Sequence, residues 1–279
     1  MLKNIVAMAV IVALGLGLCI GNAAAQTKLA AKGLQLDGST TVGPVAEAFA
    51  EALKDKLPEI TIKKTGSGDG VAALADKRCD IAMSSRFMKD SEFKAAIEKG
   101  VLPVAHAIAM DGVCIIINPA NTISELSIEQ IRGIYTGATT NWKQLGGPDM
   151  PIVAVSRDTS SGTYEAFNHF VMGKDKLGKV EYTNANPQVY NIVKDTKGAI
   201  GYVGLGFVDD KIKAVKVGGV EPTKKTIATG VYPLSRPLFL FTNGYPELGS
   251  PAHTFVTFYL SEEGARLVEK KGFVPLTNY

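Results

Sequence analysis

Cysteine is scarce in this chain of 279 residues: there are three, Cys19, Cys79 and Cys114, with no CxxC spacing. That excludes a disulfide framework and a zinc ribbon. The three histidines, His106, His169 and His253, stand far apart without ligand-spaced neighbours, so no metal centre is expected. Charge of one sign is also lacking. Thirty Lys and Arg face 27 Asp and Glu, a formal net charge of +3, with no basic block, acidic tail or low-complexity stretch. Nothing here points to a nucleic-acid partner. Catalytic signatures are missing as well. There is no GxxxxGK[ST], GxSxG or HExxH, and no pair of carboxylates stands out. The glycines at 66, 68 and 70 lack dinucleotide spacing, and those at 201, 204 and 206 follow the wrong pattern. No cofactor is expected, and the chain does not read as an enzyme.

What is present begins with an export signal. Lys3 is followed by an apolar run from Ile5 to Ile20 and by Ala23-Ala24-Ala25, a small-residue cleavage site. Removing residues 1–25 leaves 279 − 25 = 254, enough for two domains with a sizeable core. The mature protein is expected in the periplasm. Lipidation through Cys19 is disfavoured because Leu18 stands where a small residue is wanted. Cys79 and Cys114 remain, and each borders or lies in an apolar strand. Both are expected to be free thiols packed as small hydrophobes.

Short apolar runs alternate with amphipathic helices, which argues for an α/β fold with mostly parallel sheets. Strands are predicted at 34–36, 61–64, 81–83, 152–155, 199–203, 212–217 and 238–242. Two separate apolar runs lie at 104–110 and 113–118. A helix with Pro44 in its first turn carries Val45, Phe49, Leu53 and Leu57 at i+4 spacing, and Pro58 ends it. Further helices are predicted at 70–77, around Phe93 and Ile97, after the Ser127 cap, at 164–172, from Asn186-Pro187 and from Ser250-Pro251. No flexible tether divides the chain, so two lobes would have to be joined by crossing strands.

The informative feature is a set of similar turns, each after an apolar strand and before a helix: GSTTVGP (38–44), TGSGDG (65–70), SRDTSSGTYEAF (156–167) and the weaker MSSRF (83–87). A helix start offers free N–H groups and the positive end of the dipole. Ser and Thr add hydroxyls, and Gly lets backbone approach an anion. Each such turn alone is more commonly a plain N-cap. Together, with Arg86 in one and Arg157 in another, they point to an oxyanion site at the carboxyl edge of the strands.

At these turns the sequence resembles the phosphate-binding proteins of bacterial high-affinity phosphate ABC importers. The resemblance runs from about Gly33 to Tyr279. It is carried by DGSTTVGPVAEAF, the GSG turn, CDIAMSSR, DGVCIIINP, TNWKQLGGPD with the single Trp142, SRDTSSGTYEAF, KGAIGYVGLGFV, YPLSRPLFLFT and GFVPL. It implies a two-lobed periplasmic binding protein fold of type II-like form, each lobe a mixed, mostly parallel sheet flanked by helices. Lobe one would hold 33–114 plus 232–279, and lobe two 115–231. It further implies a monomer that encloses dehydrated inorganic phosphate in the cleft and delivers it to the membrane permease subunits of an ABC importer. Position by position, the ligands carried over are Thr40 and Thr41 with adjacent Ser39, then Ser67 with Gly68, and Arg157, Ser161, Gly162 and Thr163. The fourth turn adds Ser85 and Arg86.

One departure matters. Many members carry an aspartate that accepts the proton of bound phosphate and so rejects sulfate. Ser85 stands at that position here, and serine is a weaker acceptor than a carboxylate. Asp111, at the head of DGVCIIINP, is the first candidate for the missing acceptor, followed by Asp69 and Asp158. Rival readings are a binding protein for another oxyanion such as sulfate or molybdate, an exported phosphoryl hydrolase, and a sensor that feeds no importer.

Overall fold

A computed structural model describes residues 33–277 of the chain. The predicted leader and Cys19 lie outside them. Eleven strands are described: β1 (Leu34–Gly38), β2 (Ile60–Lys63), β3 (Ile81–Ser84), β4 (Pro103–Ile117), β5 (Glu125–Leu126), β6 (Val153–Arg157), β7 (Glu181–Thr183), β8 (Ala199–Gly204), β9 (Lys213–Ala214), β10 (Lys216–Val217) and β11 (Ser235–Asn243). The α-helices are α1 (Gly43–Leu53), α2 (Ser67–Ala75), α3 (Asp90–Glu98), α4 (Ile128–Thr136), α5 (Gly162–Phe167), α6 (Asn186–Asp195), α7 (Lys224–Ala228), α8 (Pro251–Thr257) and α9 (Glu262–Lys270).

Local chemistry accounts for most of these elements. Pro44 fits the first turn of α1, where its missing N–H costs nothing. Val45, Phe49 and Leu53 are buried on one face. The helix stops at Leu53, so Leu57 packs against the same core from the turn beyond. Ser127 Oγ accepts from the Gln130 amide at 3.1 Å while Gln130 Oε1 accepts from the Ser127 amide at 2.8 Å. This reciprocal cap starts α4, and left-handed Gly137 (φ 84°) ends it. The helix predicted at 164–172 begins earlier, at Gly162, and passes into a π-helical turn over Asn168–Met172.

The two apolar runs predicted at 104–110 and 113–118 form one strand of 15 residues, β4. Asp-Gly commonly marks a turn, but here Asp111 and Gly112 sit inside the ladder, opposite Arg236 and Ser235 of β11. At this point β4 changes partner. Residues 103–112 pair antiparallel with β11, and 113–117 pair antiparallel with β8. The strand order is β2-β1-β3-β11-β4-β8-β6-β7, with β9 also on β4. β2, β1 and β3 run parallel on one side of β4, and β7, β6 and β8 run parallel on the other. The result is a mixed α/β architecture in which β4 runs antiparallel to both β11 and β8.

Two main cores flank that junction. One gathers Leu36, Val45, Phe49, Ile81, Ile108, Leu240, Phe255 and Phe273. The other gathers Ile115, Ile131, Tyr135, Trp142, Phe167 and Tyr202, together with Tyr232 and Leu234 from the segment leading into β11. Trp142 is fully buried and its Nε1 donates to the Gly198 carbonyl at 2.9 Å. Each such large apolar side chain contributes about 1.5–3 kcal/mol on burial. Cys79 and Cys114 are free and buried, as expected.

Candidate functional site

Parallel pairing of β2, β1 and β3 brings their carboxyl ends to one edge, so the turns after them collect there. The turn after β6 meets them from the other side of the β4 junction. The Gly68 amide donates to the Ser160 carbonyl at 2.9 Å. Thr41 Oγ1 and Thr163 Oγ1 are 3.0 Å apart. Asn186 Nδ2, at the start of α6, donates to Thr40 Oγ1 at 3.1 Å and Thr41 Oγ1 at 2.9 Å. A Cβ on Gly162 would collide with Ser67 Oγ and sit 2.6 Å from Ser85 Oγ, so only glycine lets the starts of α2 and α5 approach this closely. Gly38 (φ 133°) plays the same part at the end of β1, packed on the Met83 carbonyl.

The four turns thus converge, and Ser39, Thr40, Thr41, Ser67, Ser85, Arg86, Arg157, Ser161 and Thr163 are all buried. Their hydroxyls do different things. Ser39 Oγ accepts from the Thr41 and Val42 amides, and Ser161 Oγ from the Thr163 and Tyr164 amides. Both act as caps. Ser67 Oγ accepts from the Ser85 amide at 3.1 Å and lies 3.4 Å from Ser85 Oγ. At the rim, Lys89 Nζ and Glu165 join the two sides at 2.6 Å. Partly exposed, this ion pair is worth about 0–1 kcal/mol.

Three arginines are buried here, and their partners differ. Arg86 donates from both terminal nitrogens to Glu92, at 2.8 and 2.6 Å, and to the Phe87 carbonyl at 2.8 Å. Burial pushes the Glu92 carboxyl up, but the Arg86 fork and the Lys89 amide outweigh it and hold the group below its ordinary value. Arg236 donates from Nε at 2.9 Å and Nη2 at 2.8 Å to Asp111 Oδ2. It also reaches the Gly162 carbonyl at 3.2 Å and Thr163 Oγ1 at 3.0 Å. Arg157 is 1 % exposed, and its Nη2 donates to the Asn184 carbonyl at 2.8 Å. Its Nε and Nη1 are buried without a partner. Burial lowers its pKa to about 10, with nearby Asp158 pulling the other way.

Asp111 is completely buried. Oδ2 takes both Arg236 bonds and Oδ1 accepts the Leu205 amide at 2.9 Å. Burial pushes its carboxyl up, opposed by Arg236 and that amide. The structure therefore places Asp111 as the anchor of Arg236. Asp158 Oδ1 accepts from the amide and hydroxyl of Ser160 within its own turn, and Asp69 is exposed.

Sequence reasoning did not select Arg236 or Asn186. For Arg236 a signal existed: an arginine inside the apolar run SRPLFLF must find a carboxylate if that strand is buried. Asn186 carried only the Asn-Pro pattern of a helix start.

Residues 22–263 match the model of the PBP superfamily domain. The chain is 35% identical over 275 residues to the phosphate-binding protein PstS of Staphylococcus saprophyticus, covering 94% of this chain and 86% of that one. It is 31% identical over 249 residues to the PstS of Bacillus subtilis, covering 88% and 81%. A solved structure from Clostridium perfringens, described as a phosphate ABC transporter substrate-binding protein with bound phosphate, shares 36% identity at a TM-score of 0.81, covering 88% of this chain and 99% of that one. An ABC-type phosphate transport receptor from Vibrio cholerae shares 29% identity at a TM-score of 0.68, covering 86% and 99%.

Proposed function

This chain belongs to the PBP superfamily and, within it, to the family of the PstS phosphate-binding proteins, and we propose from that premise that it captures inorganic phosphate and hands it to an ABC importer. The observation that carries the reading is Arg157, a buried guanidinium with two unpartnered nitrogens and no ion pair among the described residues. A buried cation without a counter-charge is costly in the empty protein. An oxyanion would relieve it, with donors supplied by the convergent hydroxyls and helix starts.

The ligand shell consists of Arg157, the starts of α2 and α5 at Ser67-Gly68 and Gly162-Thr163, and the hydroxyls of Thr40, Thr41 and Ser85. Ser39 and Ser161 hold the turns in shape. Arg86 contributes at most its free Nε, because Glu92 neutralises the rest. The lobes are 33–114 with 232–279, and 115–231, with β4 and the chain into β11 as the crossings. Capture is by lobe closure, without chemistry on the ligand. The mature protein works as a monomer outside the cytoplasmic membrane, with the permease subunits as its protein partner.

Titration calorimetry of the phosphate-stripped protein against phosphate, sulfate and molybdate tests the reading, with Arg157→Ala as the site control. Tight phosphate binding that Arg157→Ala weakens by about thirtyfold or more is the expected result. A parent protein that ignores phosphate, or an Arg157→Ala protein that binds it normally, would overturn it.

A further inference from the structure

Among the described residues, five buried side-chain polar atoms have no hydrogen-bond partner: Arg86 Nε, Asn121 Nδ2, Arg157 Nε, Arg157 Nη1 and Asn186 Oδ1. Asn121 lies in the loop between β4 and β5, outside the convergent turns. The other four belong to the site or touch it. Three of them can only donate, and one, Asn186 Oδ1, can only accept. Unpaired buried polar atoms are rare and costly, so their pattern records what the site is built to receive. Three donors and one acceptor complement an anion that presents several lone pairs and one proton. A fully ionised tetrahedral anion has no use for the acceptor.

Asn186 is fully buried, and its other amide atom fixes where Oδ1 sits. Nδ2 reaches Thr40 Oγ1 at 3.1 Å and Thr41 Oγ1 at 2.9 Å, so the planar amide that carries Oδ1 is anchored on the two hydroxyls assigned to the ligand. Because each threonine oxygen accepts from Nδ2, each hydroxyl proton is free to point elsewhere. Thr41 spends its own on Thr163, 3.0 Å away, or on the anion. Asp111 does not supply a free acceptor, because both of its oxygens already hold donors.

We propose that Asn186 Oδ1 is the acceptor for the proton of bound hydrogen phosphate, and that Asn186 is thereby a specificity-determining residue of the site. The proposal rests on the phosphate reading above. It places proton recognition on a neutral amide at the start of α6, and not on the Ser85 turn where the resemblance puts an aspartate in many members. A neutral acceptor discriminates by an unmatched lone pair against sulfate and adds no like-charge repulsion.

Competition calorimetry with phosphate and sulfate at fixed ionic strength, on the parent, Asn186→Leu and Asn186→Asp proteins, tests this. Asn186→Leu is expected to weaken phosphate by at least about tenfold, the cost of one unmatched buried hydrogen bond, and sulfate by less. The phosphate-to-sulfate preference therefore shrinks. Asn186→Asp is expected to keep phosphate binding close to parental and drive sulfate binding down, because a carboxylate accepts the proton but repels a bare anion. An unchanged preference in both variants overturns the proposal. So does loss of phosphate binding in Asn186→Asp, which would mean the amide nitrogen faces the ligand. If the leucine variant does not fold, the near-isosteric aspartate variant decides alone. A parent that fails to bind phosphate would instead sink the functional reading.

Discussion

The turn after β1 and the turn after β6 have nearly the same local chemistry, yet the structure uses them differently. Both present Ser, Thr and Gly before a helix, and in both a serine caps the turn: Ser39 in the first, Ser161 in the second. The sides differ in how their arginines are compensated. On the first side, Arg86 is spent on Glu92, and Arg236 on Asp111. On the second, Arg157 is equally buried and lacks a carboxylate at ion-pair distance. Hydroxyl-rich helix starts are therefore common property of both sides. The uncompensated charge is what separates a ligand site from a well-capped turn.

The contrast between the arginines predicts opposite phenotypes. Arg236→Ala leaves the Asp111 carboxylate buried and unpaired, so it should cost about 3–5 kcal/mol of stability, read from the urea midpoint. If that midpoint hardly moves, the pair is not holding the junction. Arg157→Ala removes a cation that has no counter-charge in the protein. Its phosphate-free melting temperature should stay near the parent's, while phosphate affinity falls by about 2–5 kcal/mol, roughly thirtyfold to several thousandfold. The rise in melting temperature on adding phosphate should vanish with it. A variant that melts early but binds normally would reverse the assignment of the two arginines.

Smaller effects sharpen the same comparison. Gly162→Ala would force the start of α5 away from Ser67 and Ser85. Overpacking of this kind costs about 1–3 kcal/mol, and it should appear as weaker phosphate binding more than as lost stability, because the strain is relieved by holding the halves apart. Equal losses in binding and in phosphate-free stability would argue that the contact is purely structural. The smallest effect concerns His106, half-buried in β4 with Nε2 2.8 Å from Thr242 Oγ1. Burial, then neighbouring His253, hold its imidazole below the usual 6.5. A lowered folded pKa favours the neutral folded form. Its stability contribution is present above 6.5 and is lost as pH falls through the folded value. His106→Gln should flatten that part of a melting profile recorded across roughly pH 5–8. An identical profile would assign the acid loss to other groups.

Much of this was legible in the residues. Pro44, the Ser127 cap and the i+4 apolar stripe marked helices because they satisfy local rules that tertiary contacts did not override. The four turns were legible because, although each alone reads as an ordinary N-cap, four of them with two arginines at the ends of apolar strands point together to one anion site. The two apolar runs at 104–110 and 113–118 proved to be one strand, because the Asp111-Gly112 pair between them is kept extended by β11 on one edge and by the Arg236 bonds on Asp111. Leu57 misled in a smaller way, continuing the α1 stripe after the helix itself had ended.

The sequence by itself determined the alternation of strands and helices, the loops that bear the site, and the family likeness, since each is written in short-range pattern. Only the tertiary structure decided which of three buried arginines goes without a carboxylate. Asp111 and Arg236 are separated by 125 positions and Arg86 and Glu92 by six, and neither spacing says which pairs close. Pairing across a sheet is set by strand register and by the cost of leaving any buried charge alone. It was likewise the fold, bringing Asn186 against Thr40 and Thr41 across some 145 residues of chain, that left one buried amide oxygen without a partner.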